Sequence, residues 1–167
     1  MLSADPDSDL DLLARYSRTK DERAFGSLYR RHAAMVRSVC RRYCRDEHLA
    51  ADAEQGVWMI LALKAASLSR PDRLANWLFG VAVRVARKAA SANHKAISYV
   101  PMRSMPDASM SVMADELLRM LDEELAALAE DDRLPLVLCY LEGLTQDEAA
   151  RVCGTCVRTL RRRLNRG

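Results

Sequence analysis

Two cysteine pairs and one run of arginines are the side chains whose types and spacing invite chemistry. Cys153-x-x-Cys156 and Cys40-x3-Cys44, with His32 and His48 near the second pair in sequence, are the residue types of a zinc or thiol redox site. A structural zinc needs four converging ligands. Cys153 and Cys156 instead straddle a tight turn where small residues are wanted anyway, and Cys40 and Cys44 lie one turn apart on a packed helix. Metal binding is the lesser reading, so no metal and no cofactor is expected. The arginines are a different matter. Arg158, Arg161, Arg162, Arg163 and Arg166 fall in a stretch with no acid, which suits phosphate contact and guanine readout. Covalent chemistry has no candidate: there is no Gly-rich phosphate loop, no His-Glu-x-x-His, no recognisable pair of catalytic carboxylates, and only three histidines. The chain is not expected to be an enzyme or to take a small-molecule substrate.

The formal charge of +3 hides a segregation along the chain. Residues 61–106 carry eight bases and one acid, whereas residues 107–133 carry two bases and nine acids. Residues 134–167 are basic again, with six bases and three acids. Clustered basic charge is the footprint of nucleic-acid binding; a set of solvated helix faces explains the charge alone equally well. The longest stretch without Asp, Glu, Lys or Arg is ten residues, 74–83, while a membrane-spanning helix needs about 20 apolar residues, so no membrane insertion is expected. The N-terminus, MLSADPDSD, is acidic where a secretory leader would be basic and then apolar. A cytoplasmic protein is the expectation. Its five cysteines, an odd number, argue against a disulfide framework.

Helices must position these groups. Leu10, Leu13 and Ala14 stand on one face of a first helix. From Asp21 to Cys44, Phe25, Leu28, Tyr29, His32, Met35, Val36 and Val39 recur at three and four, with arginines largely between them. A third helix runs from Glu47 to about Ala66 on Leu49, Ala53, Val57, Ile60 and Leu61. Pro71 disfavours helical geometry at Arg70 and breaks it. A fourth, from Leu74 to about Ala92, places Arg84, Arg87 and Lys88 on one face. Residues 96–112 hold two Pro, four Ser and three Met without any period, and read as a linker. Beyond them Leu117, Leu118, Leu121, Leu125 and Leu128 form a helical stripe, and 134–141 reads as a short apolar helix ended by Gly143. Thr145 and Glu148 fit a capping box; Ala149, Ala150 and Val152 allow close packing; Gly154 suits a tight turn. On the last helix, about 156–165, Val157, Leu160 and Leu164 face the core, and Arg158, Arg161 and Arg162 form another face. A short helix, a Gly turn and an Arg-faced helix together read as helix-turn-helix. The expected fold is all-α: two small helical domains, 8–95 and 113–167, joined by a flexible linker at 96–112.

At this point the residues resemble a family. LPLVLCYLEGLTQDEAARVCG…TLRRRL is similar to the fourth region of extracytoplasmic-function sigma factors, the compact two-domain branch of the sigma-70 family. The stretch from Arg30 to Ala89, which includes RPDRLANWLFGVA, is similar to their second region, with wording like that of a planctomycete-type branch. The resemblance spans about residues 10–166.

What the resemblance implies is specific. Asp52 and Gln55 match the pair that helps dock the coiled coil of the largest RNA polymerase subunit; the residue after them, often an acid in the family, is Gly56. The 67–73 loop, with Arg73, stands where the family captures an unstacked base of the −10 element. Asn76 and Trp77 match the start of the melting and recognition helix, with Trp77 more readily a core residue than a stacking one. Arg84, Arg87 and Lys88 lie where the family contacts the downstream promoter strand. Thr155, Arg158, Arg161, Arg162 and Arg163 lie at the helix that enters the −35 major groove; the family usually has Gly at the place of Arg158 and Leu at that of Cys153. The implied partners are core RNA polymerase, through that coiled coil and the flap, promoter DNA, and an anti-sigma factor. A helix-turn-helix regulator that does not program polymerase is the competing class.

Overall fold

The computed structural model describes residues 7–97 and 110–166, and side chains outside 94–112. Eight α-helices follow in order among them, with no strand: α1 (Asp9–Thr19), α2 (Glu22–Tyr43), α3 (Glu47–Lys64), α4 (Leu74–Ile97), α5 (Met110–Ala127), α6 (Glu130–Leu136), α7 (Gln146–Val152) and α8 (Val157–Leu164). Most of the expected linker, 98–109, lies outside the described residues; its two ends belong to α4 and α5.

Short polar side chains set the helix starts. Ser8 and Asp11 form a capping box on α1, Asp21 accepts from the amides of Arg23 and Ala24, and Asp46 accepts from that of Leu49. Pro71 opens a 3-10 turn, Pro71–Arg73, that leads into α4. Helices α2, α3 and α4 pack on one another and α1 lies against α2. Their centre is Leu28, Val36, Val57, Leu61, Leu78 and Phe79, all fully buried.

Three expected faces turn differently. On α1 it is Leu12 and Leu13 that are buried; Leu10 and Ala14 are exposed, because α1 presents the Leu12, Leu13 and Tyr16 side to α2. On α5, Leu117, Leu118 and Leu121 are exposed and only Leu125 is buried with Leu128 half-buried. The face of α5 that meets the first block is the one carrying Asp122, 2% exposed, which takes a two-pronged bond from Arg42 at 2.6 and 2.8 Å. Val152 is also exposed; the tight packing of α7 comes from Ala149 and Ala150. The short apolar helix begins four residues earlier than expected, at Glu130, where three acids in the first turn complement its N-terminal dipole. It continues as a wide π turn, Val137–Leu141, in which the amide of Glu142 donates to the carbonyl of Val137. Gly143 follows with φ +72° and Gly154 with φ +60°, left-handed positions that glycine adopts without strain.

The two blocks touch. α5 packs on α2 and α4, and α6 with its π turn packs on α4. Besides Arg42 and Asp122, a second buried group joins them. His32, 2% exposed, donates to Asp9 Oδ2 and to Glu142 Oε1, each at 2.9 Å. Burial alone would lower the His32 pKa, but the bonds to the two carboxylates outweigh it and lift it to about 9. Arg133 completes the contact, donating to Asn76 Oδ1 at 2.6 Å and to the Ala126 carbonyl at 2.8 Å.

Candidate nucleic-acid interface

A groove of about 500 Å³ opens between α3, α4 and the 67–69 turn. Ile60, Leu68, Trp77, Val81 and Val85 make its apolar walls. Lys64, Arg84 and Lys88 stand over it, and Ser67 and Ser69 add hydroxyls. Each side follows from sequence. Trp77, Val81, Arg84, Val85 and Lys88 recur at three and four along α4, and α3 gives way to a 3-10 turn, Ala65–Ser67, after which the chain extends at Leu68 to close the end. Among the described residues, the side chains of Lys64, Arg84 and Lys88 make no ion pair or hydrogen bond. A groove with an indole wall and free cations on its rim is suited to an unstacked base and the phosphates beside it.

The other expected residues fall in distinct places. Arg87 is exposed on α4 and lines no part of the groove. Trp77 is half-buried, packed against the core on one side and forming a wall of the groove on the other. Asn76 is 2% exposed and held by Arg133. Arg73 is paired with Asp131 at 2.5 Å. A smaller groove of about 240 Å³ lies alongside, where Asn76, Gly80 and Arg70 meet Glu130 and Arg133 of α6. On α8, Arg158, Arg161 and Arg162 are exposed and Arg163 is half-buried; Arg161 donates to Gln146 at 2.8 Å. Thr155 is half-buried in the turn before it. That turn is held by the amides of Gly154 and Thr155, which donate to the carbonyls of Arg151 and Ala150, and by Leu160, fully buried, on the inner face of α8.

Asp52 and Gln55 are exposed on α3. Along the same face stand Met59 and Leu63, 59% and 81% exposed, which the sequence reading did not single out. The signal was there: 52, 55, 59 and 63 share a helical stripe that no core position claims. Gly56 faces the other way, where an added Cβ would lie 3.5 Å from Val85. Lys64 was likewise missed, because nothing in the local pattern ties the end of α3 to α4. Of the cysteines, Cys40 and Cys44 are buried, Cys139 and Cys153 are half-buried and Cys156 is exposed. Among the described residues no three His, Cys, Asp or Glu side chains are grouped to hold a metal, and no helix is long and apolar enough to cross a membrane.

Two family models match the chain in order. Sigma-70 region 2 matches residues 28–95, which contain the groove and the Asp52–Leu63 face. Sigma-70, region 4, matches residues 118–167, which contain the helix-turn-helix. Together they span well over half of the chain. The chain belongs to the sigma-70 family. No curated protein matches this sigma-70 family chain. Among solved structures it is similar to CnrH, described in complex with the cytosolic domain of CnrY, at 25% identity and a TM-score of 0.48, covering 96% of this chain and 92% of that one. In the sigma-70 frame, the groove and the α3 stripe fall in region 2, and the arginine face of α8 falls in region 4.

Proposed function

We propose that this sigma-70 family chain acts as an extracytoplasmic-function sigma factor: it binds core RNA polymerase and directs initiation at promoters with −10 and −35 elements. The observation that carries the reading is the region 2 groove, with Trp77 as wall and Lys64, Arg84 and Lys88 unpaired above it. In this reading an unstacked −10 base enters the groove, and Arg73 and Arg87 extend the contact along the melted strand, while Asn76 is held beneath Arg133. The α3 face of Asp52, Gln55, Met59 and Leu63 receives the polymerase coiled coil, its two apolar side chains supplying area that the polar pair lacks. Region 4 binds the flap and lays α8 in the −35 major groove, where Arg158, Arg161, Arg162 and Arg163 meet phosphates and guanines and Thr155 meets the backbone. Residues 96–112 tether the two arms, so each raises the effective concentration of the other. The protein works in the cytoplasm, performs no covalent step itself, and is held in check by an anti-sigma factor.

Run-off transcription with bacterial core polymerase on promoter fragments from the same genome tests this. Start-site-specific transcripts that require the protein, and that are lost in a D52A/Q55A variant, are the expected result. Absence of transcripts together with failure to co-elute with core polymerase overturns it and leaves a helix-turn-helix regulator.

A further inference from the structure

Three consecutive carboxylates at the start of α6 sit between the arginines of both candidate DNA-contact regions. Asp131 pairs with Arg73 at 2.5 Å, and Glu130 lies 4.0 Å from Arg70, both arginines of the 67–73 loop. Asp132 accepts from Arg166, just past the end of α8, at 3.2 Å. Arg73 is foremost in holding the Asp131 carboxyl below the usual carboxylate range, and Arg163 of α8 adds to it. One residue further on, Arg133 covers Asn76. The placement is not left to these surface pairs alone, because the Arg42–Asp122 fork fixes α5 against α2 directly upstream.

We propose that Glu130, Asp131 and Asp132 act as a built-in phosphate mimic, occupying in the free chain the cationic positions of the 67–73 loop and of Arg166, just past α8, that DNA phosphates take in the transcribing complex. This rests on the functional reading above. The chemistry is that of competition: a carboxylate and a phosphate oxygen ask the same of a guanidinium, and a carboxylate already seated neutralises its charge and repels an incoming phosphate. Exposed pairs of this kind are worth a few tenths to about 1 kcal/mol each. Three of them are weak enough to be displaced when polymerase presents melted DNA, and together strong enough to suppress stray binding by the free chain. The segregation of charge in the sequence, basic 61–106 beside acidic 107–133, acquires a purpose in this way.

The test is a fluorescence-anisotropy titration of a labelled single-stranded oligonucleotide with the full chain at about 0.15 M salt, where charges beyond roughly 8 Å are screened. The variant E130Q/D131N/D132N is compared with E22Q/D115N/E124Q, which removes three exposed acids that have no ion pair among the described residues. The first should bind about tenfold more tightly than the parent, and D131N alone about threefold. The second should change by less than about twofold. Equal gains in the two triple variants, or none in the first, overturn the mimic. Run-off transcription by the parent chain, read in parallel, judges the sigma-factor reading separately: transcripts with no gain in affinity sink the mimic alone.

Discussion

The first block closes around twenty-four buried apolar residues, from Leu12 to Ala86, whereas the second buries seven, from Leu125 to Leu160, among the described residues. The second also leaves Leu117, Leu118 and Leu121 in solvent. The first is held by burial, which is indifferent to direction and hard to undo locally. The second adds its few buried residues to the edge of that same apolar cluster and is oriented on it by specific polar groups: Asp122 on Arg42, Glu142 on His32, Arg133 on Asn76. Breaking a few polar pairs would loosen that attachment, as the proposed promoter-spanning arm requires.

The contrast can be broken in four places. The largest effect should come from Phe79→Ala, in the middle of the first core. It should cost about 3–5 kcal/mol in urea unfolding followed by circular dichroism, and it should take both blocks with it. Asp122→Ala comes next. It strands Arg42 in a nearly buried site and should cost about 3 kcal/mol. Hydrogen exchange should show the loss at the amides of α5 and α6, with α3 unchanged; uniform loss would mean that the blocks form one cooperative unit.

The third is a pH effect. His32 titrates at about 9 in the fold and near 6.5 in an unfolded chain, so the fold binds that proton more tightly. Its contribution is complete below about pH 6.5, declines as the pH rises, and is gone above about pH 9. Stability should fall by about 3 kcal/mol across that window, and a His32→Gln chain should lose the slope. The smallest is Thr145→Ala. Loss of the α7 capping box should cost about 1 kcal/mol, visible only in the melting of the second block.

Much of this was legible in the sequence because it is local. Asp21 and Cys44 bracket α2 as expected, and the Thr145–Glu148 box and the Gly154 turn place the helix-turn-helix within a residue or two. The family resemblance extended that reading to residues whose roles no spacing reveals. The α5 stripe misled because five leucines at helical spacing describe a face without saying what meets it. Here the deciding residue was Asp122, whose partner Arg42 lies 80 positions away. Asn76 was legible as a residue of the candidate site but not as one covered by Arg133, since that contact exists only once the two blocks are side by side.

The π turn at Val137–Leu141 has an evolutionary reading. A helix that widens to an i→i+5 bond holds one residue more than a regular helix of the same span, while its flanks keep their facing. Leu134 and Leu138 thus stay in the core and Glu142 still meets His32. The surplus position is Tyr140, 74% exposed, or its neighbour. Loss of one residue there would straighten the segment without re-aiming its ends, whereas loss of one residue in α4 would swing every downstream side chain by about 100°. Chain length is negotiable at that turn and fixed in the helix that lines the groove.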